Sequence, residues 1–450
     1  MSKPYDLIVI GSGTAAQVAI AQVQKRGWRV AVIDHRPFGG TCALRGCDPK
    51  KMLVSGEEAL DAARRMQSHG VKGELSIDWP ALMAFKRSFT DPIPAKQAKH
   101  YADLGVDAFH GLARFTAPDR IEIEERELVG RHILIATGAS PVPLGIPGEE
   151  LVSTSDDFLE IETLPRRIVL IGGGYIAAEF SHLASRAGSQ VTILQRGARL
   201  LPQFDGDVVG WLMPSFNALG ITVHTNTTAN SAKRSKEGIT VHASSPEGGE
   251  IAVTADMVIH AAGRRPNLAA LDLAAGDVLV DQGRLKLTPG LQSVSNPRVY
   301  AAGDATGSGP PLTPVSSHDA KVVAANMLDG AGARPDYLGV PSVAFTVPPI
   351  AAVGLNEAEA QAKGLRFRMN SASVPMWFTA RRLNEEVYGY KVLIEEDTGV
   401  ILGAHLVGPS ADEVINLFAL AIRNGLKSED LRNTMFAYPT AASDIGYMLA

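Results

Sequence analysis

At 450 residues, with 45% hydrophobic and 20% charged positions, the chain has an ordinary globular composition and is too long for one core, so several domains are expected. The formal net charge of −5, with no basic cluster beyond Arg264-Arg265 or Lys50-Lys51, argues against nucleic-acid partners, and no run approaches the ~18–20 uninterrupted apolar residues that span a bilayer. Two cysteines five positions apart are too few for a secreted disulfide scaffold, and without a nearby histidine pair they cannot close a zinc site, so no metal centre is expected.

Met1–Ile10 runs straight into an apolar strand pattern without the segments of a signal peptide, which predicts a cytoplasmic protein. Leu7-Ile8-Val9-Ile10 reads as a buried strand, Gly11-Ser12-Gly13 as a turn, Ala15 to Arg26 as a helix, and Arg29–Ile33 as a second strand ended by Asp34. The pattern returns about 160 residues later: strand Arg167–Ile171, turn Gly172-Gly173-Gly174, a helix from Tyr175-Ile176 to Ala187, and strand Gln190–Leu194. Two nucleotide-binding domains of one design are therefore expected. The Pro/Gly-rich stretch Pro141–Gly148 separates them, and Val299–Asp304 reads as a strand with a polar end that returns to the first domain. From about Gly339, strands including Val392–Ile394 and Ile401–Leu406, then a helix Ala411–Asn424, predict a third, α+β domain.

Three constellations carry chemistry. Gly11-x-Gly13-x-x-Ala16 lets the backbone turn tightly and approach a pyrophosphate at a helix N-terminus, with Asp34 placed to accept from a ribose. Gly172-x-Gly174-x-x-Ala177 repeats it, but Gln195 stands at the acidic position and Arg196 and Arg199 follow. A neutral residue with guanidinium neighbours favours the 2′-phosphate of NADPH over NADH; the alternative is a solvated charged face. The third is Gly39-Gly40-Thr41-Cys42-Ala43-Leu44-Arg45-Gly46-Cys47-Asp48-Pro49-Lys50-Lys51, followed by a helical pattern from Met52 to Met66. Thiols this close form a small-loop, reducible disulfide, and a helix N-terminus beside Arg45 and Lys51 stabilises thiolate; the alternative is two inert core cysteines.

This third motif resembles the active-site signature of the class I pyridine nucleotide–disulfide oxidoreductases, which include glutathione reductase, dihydrolipoamide dehydrogenase and mercuric reductase. The likeness runs along the chain in order, through both dinucleotide turns, Ala136-Thr137-Gly138, Ala262-Gly263-Arg264, Ala302-Gly303-Asp304, Leu312-Thr313-Pro314-Val315 and Gly403–Gly408. It implies a homodimeric α/β flavoprotein of three parts. Residues 1–150 and 268–338 would bind FAD, 151–267 would bind NAD(P)H, and 339–450 would form the dimer interface. It also implies roles. Cys47 would face the flavin as the charge-transfer thiolate and Cys42 would meet the substrate. Lys51 would lie near the flavin and pair with Glu179, Tyr175 would cover the nicotinamide pocket, and Asp304 would bind the ribityl chain. Thr41, Thr137, Gly138, Gly263, Arg264 and Thr313 would complete the cofactor contacts, with Ile176 at the nicotinamide helix.

The pattern breaks at the C-terminus. The family's His-x-His-Pro-Thr-x-x-Glu reads Phe436-Ala437-Tyr438-Pro439-Thr440-Ala441-Ala442-Ser443, so Tyr438 replaces the histidine acid–base and Ser443 its orienting acid. An unperturbed tyrosine near pKa ~10 exchanges protons poorly at neutral pH, which predicts weak glutathione or lipoamide turnover. The end Tyr447-Met448-Leu449-Ala450 lacks the cysteine pair of mercuric reductases, so efficient mercuric reduction is not expected. The expected acceptor is a small-molecule or protein disulfide, or another electron acceptor such as a quinone or metal ion. A redox-sensing flavoprotein of low turnover is the reading from another class. His405 is expected in the core, Met376-Trp377-Phe378 in an interface, and Arg381-Arg382 on a solvated face.

Overall fold

Leu7–Ile10 and Val30–Ile33 are unbroken apolar runs, and each is buried as a strand in the computed structural model, which describes residues 3–246 and 248–450. They belong to the first of two compact units, made of Met1–Lys50, Phe85–Val142 and Arg264–Tyr337. Its parallel strands lie in the order Asp107–His110, Val30–Asp34, Tyr5–Ile10, Arg126–Ile135, with Val299–Ala301 parallel to the last of these. Arg120–Ile123 and Ala113–Ala117 extend the sheet antiparallel. Ile10 pairs with Ile33 and with Ile135, and Ala301 with Ile135, so four strands end in one row. The loops that leave this row form the edge where parallel sheets bind ligands.

The helix Thr14–Gln24 buries Ala15, Ala16, Ala19, Ile20 and Val23, one face at helical spacing, in a cluster with Leu7, Val9, Val30 and Val32. Small residues at 15, 16 and 19 let it lie close to the sheet. It stops at Gln24, short of the expected Arg26, because Gly27 (φ +69°) begins the turn. The strand expected through Asp304 ends at Ala301, where Gly303 (φ +69°) bends the chain into the turn Gly303–Thr306.

The second unit comprises Lys51–Ala84, Pro143–Gly263 and Leu338–Ala450. It holds a parallel sheet in the order Thr222–His224, Gln190–Leu194, Arg167–Ile171, Met257–His260, which is the expected repeat of the first design. A three-stranded antiparallel sheet, Thr228–Ser235, Gly238–Ser245 and Gly249–Ala255, packs with it. Its C-terminal part is a five-stranded antiparallel sheet, in the order Ser342–Ala344, Ile350–Gly354, Ile401–Val407, Gly389–Glu395, Phe367–Ser373. Helix Ala411–Arg423 lies on it through Val414, Ile415, Phe418 and Ile422. His405 is buried in that sheet, with Nε2 on the Leu355 carbonyl at 3.1 Å, as a core histidine should be. Among the described residues no helix is long and apolar enough to cross a membrane.

A buried ion network joins two helices of this unit. Arg186, the last residue of helix Tyr175–Arg186, reaches Glu57 at 2.6 Å and Asp61 at 2.8 Å on helix Cys47–Arg65, and donates to the Val347 carbonyl at 2.9 Å. Asp61 also meets Arg65 at 2.7 Å, and Arg65 lies 3.6 Å from Glu385. Two guanidiniums face three carboxylates. Burial pushes the fully enclosed Glu57 up to about 8, with Arg186 opposing the shift.

Candidate active site

The first unit opens a cavity of about 350 Å³ at the row of strand ends, lined by the Gly11–Gly13 turn, Gly40 of the cysteine loop, Asp34, Thr137, Asp304 and the two cysteines. Backbone contact shapes it. A Cβ on Gly11 (φ +106°) would fall 2.2 Å from the Ala136 carbonyl oxygen, and one on Gly40 (φ +76°) would fall 2.3 Å from the Gly13 Cα. The loop carrying Cys42 is thereby pressed against the dinucleotide turn, and no side chain fits between them. Helix Thr14–Gln24 has no side-chain cap and no acid in its first turn, so its N–H groups face the cavity as an anion site.

Asp34 is held by three donors: Ser12 N at 2.9 Å, Ser12 Oγ at 2.6 Å and Arg36 N at 2.9 Å. A carboxylate offers about four acceptor positions, which leaves one for a ribose hydroxyl. Ser12, wholly buried, was not legible as a site residue, since the middle position of a Gly-x-Gly turn carries no sequence signal. Thr137 Oγ1 is buried on the cavity wall with no hydrogen-bond partner among the described residues, and so awaits one from a ligand. Asp304 is raised by burial, with Arg264 opposing. Uncapped anion donors, a fixed carboxylate and an orphaned hydroxyl along one cleft fit a dinucleotide such as FAD.

The cysteines lie in the same cleft as free thiols. Cys42 belongs to the short helix Gly40–Arg45 and Cys47 opens helix Cys47–Arg65, with Gly46 between. Thr313, first in helix Thr313–Asp329, donates to Cys42 Sγ at 3.1 Å and lies 3.4 Å from Cys47 Sγ. The hydrogen bond from the Cys42 thiol, with help from Thr313 and Lys50, brings Cys47 down to about 6 against burial and the Asp48 carboxylate. That same hydrogen bond pushes Cys42 up, and burial adds to it. The reduced pair is therefore a thiolate at Cys47 and a thiol at Cys42 near neutral pH.

The second unit carries the second glycine turn. A Cβ on Gly172 (φ +113°) would fall 2.2 Å from the Ala261 carbonyl oxygen, and Gly174 leads into helix Tyr175–Arg186 with no side-chain cap. Tyr175 packs edge-on against Phe204 at 5.5 Å, and Ile176 lies against the core of the parallel sheet. Gln195 turns back on its own loop, Nε2 to the Arg199 carbonyl at 3.1 Å. Arg199, expected to pair with a 2′-phosphate, donates instead to the carbonyls of Leu201 at 3.0 Å and Pro202 at 2.9 Å, so its guanidinium braces the loop. Arg196 is exposed, and Gly263 takes φ +105°. The expected Lys51–Glu179 pair is not made. Lys51 pairs with Glu58 at 2.6 Å, two turns along its own helix, and Glu179 accepts from Phe345 N at 2.9 Å. The Phe345 ring lies 4.6 Å from the Lys51 ammonium, so both residues brace the same segment from two helices.

Residues 5–320 match the pyridine nucleotide-disulphide oxidoreductase family, and residues 340–448 match its dimerisation domain. The chain belongs to this family. It is thus an oxidoreductase of the FAD-dependent pyridine nucleotide–disulfide type, with its redox cysteine pair at Cys42 and Cys47. It is 33% identical to a mercuric reductase of Staphylococcus aureus over 98% of this chain and 81% of that one. It is 31% identical to a dihydrolipoyl dehydrogenase of Bacillus subtilis, over 97% and 93% of the two chains. A solved structure, the HOCl-induced flavoprotein disulfide reductase RclA from Escherichia coli as its Cu(II) complex, superposes with a TM-score of 0.89 at 27% identity, covering 100% of this chain and 99% of that one.

Tyr438 lies at the surface of the second unit. It is 77% exposed and its ring lies 6.5 Å from Phe378, with no hydrogen bond to its hydroxyl among the described residues. Ser443, at the position of the orienting acid, donates to the Thr440 carbonyl at 2.6 Å instead. Met376, Phe378, Met435 and Tyr447 are also exposed.

Proposed function

We propose that this protein is an NADPH-dependent reductase that passes electrons through FAD and the Cys42–Cys47 pair to a disulfide or thiol-linked acceptor. The observation that carries it is the placement of the two sulfurs: both line the dinucleotide cleft, Cys42 Sγ at 3.1 Å and Cys47 Sγ at 3.4 Å from the Thr313 hydroxyl, and the hydrogen bond between them lowers Cys47 and raises Cys42. FAD, when bound, supplies the two-electron relay between nicotinamide and sulfur. Gly11, Gly13 and Ala16 would admit its pyrophosphate to the helix N-terminus, Asp34 would take a ribose hydroxyl, and Thr41, Thr137, Gly138, Arg264, Asp304 and Thr313 would line its path. Gly172, Gly174, Tyr175, Ile176, Gln195, Arg196 and Gly263 would receive the nicotinamide dinucleotide, and the exposed Arg196 supports NADPH over NADH. Lys51 and Glu179 position the Phe345 segment beside the redox helix. The matched dimerisation domain and the exposed, facing rings of Phe378 and Tyr438 support a homodimer, which we place in the reducing cytoplasm, with residues 1–150 and 268–338, 151–267 and 339–450 as its functional domains.

Reduction of the sulfur pair breaks the Cys42–Cys47 bond, leaving thiolate on Cys47 and a proton on Cys42. The acceptor then takes both electrons and the disulfide reforms. The test is an acceptor screen with purified holoenzyme, following NADPH oxidation. Catalytic turnover with a disulfide, lost in Cys42→Ser, supports the reading; turnover that survives Cys42→Ser refutes it. A second reading, a thiophilic metal ion as acceptor, is favoured by the mercuric reductase relatives and by the Cu(II) complex of the Escherichia coli structure. Cu(II) reduction faster than any disulfide would establish that reading instead.

A further inference from the structure

We propose that Asp48 is the proton-transfer residue of the sulfur pair, taking the proton of Cys42 as that sulfur attacks a disulfide and returning it to the first departing thiolate. The inference rests on the disulfide-reductase reading above and supplies an acid–base group beside the sulfur pair itself. Asp48 is exposed, and its Oδ1 lies 3.9 Å from Cys42 Sγ, with the thiol donating. The fold puts it there. Gly46 separates the two helices so closely that a Cβ on it would lie 3.0 Å from the Thr41 carbonyl oxygen, and this tight turn brings the first turn of helix Cys47–Arg65 back beside Cys42. Thr313 approaches the same sulfur as a donor at 3.1 Å and so cannot accept its proton while making that bond.

Cys42 has two acceptors for its proton, Cys47 and Asp48. Transfer to Cys47 would neutralise the thiolate needed for the second step. Transfer to Asp48 leaves Cys47 charged. The exchange then balances. Cys42 Sγ bonds to one sulfur of R–S–S–R while its proton passes to Asp48 Oδ1; the S–S bond breaks, and the first RS⁻ leaves as RSH with that proton. Cys47 S⁻ next attacks Cys42 Sγ, the Cys42–Cys47 disulfide forms, and the second RS⁻ departs to solvent. Two cysteine sulfurs are oxidised and two substrate sulfurs reduced. A protonated carboxyl donates from the oxygen that, ionised, accepted, so one residue serves both halves of the first step.

The experiment separates acid catalysis from architecture by the leaving group. The NADPH-reduced holoenzyme is mixed rapidly with hydroxyethyl disulfide, whose alkyl thiolate needs a proton to leave well, or with dithiodipyridine, whose leaving group departs without one. Both probes are uncharged. Asp48→Asn is expected to slow oxidation by hydroxyethyl disulfide roughly 10²-fold, far more than oxidation by dithiodipyridine, and Asp48→Glu to recover part of the loss. Equal slowing with both probes, or with neither, overturns the proposal. So does a selective loss in Tyr438→Phe with none in Asp48→Asn, which would assign the acid to Tyr438. If the wild-type protein is oxidised by neither probe, the disulfide-reductase reading itself fails and the role of Asp48 falls with it.

Discussion

Replacing Glu57 with Gln should flatten the dependence of stability on pH. In the wild type, Arg186 and Arg65 face Glu57, Asp61 and Glu385, one carboxylate more than the two guanidiniums balance. Glu57 is the one without solvent, its Oε2 has no partner among the described residues, and burial raises it from 4.5 to about 8 despite Arg186. The other titratable groups facing it add no compensating positive charge. His182 is held neutral by burial with Arg186 reinforcing, and Asp61 and Glu58 repel a further anion. A carboxyl whose folded pKa is raised contributes fully below its unfolded pKa, and that contribution is lost as pH rises through the folded one. The window is therefore pH 4.5 to about 8. One proton per molecule costs up to about 1.4 kcal/mol per pH unit there, or roughly 2–3 kcal/mol between pH 6 and 8 before relaxation reduces it. The amide introduced by Glu57→Gln keeps an oxygen for Arg186 and does not titrate. Urea unfolding of the holoenzyme at pH 6, 7 and 8 should show the wild type losing midpoint concentration relative to Glu57→Gln. Parallel curves for the two proteins would refute the assignment of the proton to Glu57.

Three further outcomes test the site. Two-electron reduction should produce a long-wavelength thiolate–flavin absorbance that grows as pH rises through about 6 and is absent in Cys47→Ser; a band that persists in the variant would place the thiolate elsewhere. Gly11→Ala, whose Cβ would meet the Ala136 oxygen at 2.2 Å, should yield protein that retains little FAD, measured as the flavin-to-protein absorbance ratio. Arg196→Ala should erode a preference for NADPH mainly through KM, by the order of tenfold expected for ~1–2 kcal/mol of phosphate contact, whereas Arg199→Ala should act on loop stability; equal kcat/KM for NADPH and NADH in the wild type would remove the basis for the Arg196 effect.

Local chain chemistry made much of this protein legible from its residues. Unbroken apolar runs specify strands buried on both faces, and Gly11, Gly172 and Gly40 stand where a Cβ would strike backbone, so the phosphate turns and the approach of the cysteine loop are written as residue types. The cysteine spacing with its glycines marked the redox pair, and the chain order of the motifs marked the family. What only the tertiary structure decided concerns partners distant in sequence or choices between equivalent ones. The pairing of Lys51 with Glu58 rather than Glu179, the inward turn of Arg199, and the burial of Glu57 beside Arg186 each depend on which side chain another element leaves within reach. Asp48 is the clearest case, because a charged residue after a cysteine is ordinary in sequence and acquires chemistry only when the turn at Gly46 brings it to 3.9 Å from Cys42. Electrostatic and hydrogen-bond energies fall off within a few ångströms, and separations on that scale are set by packing, which no local pattern encodes.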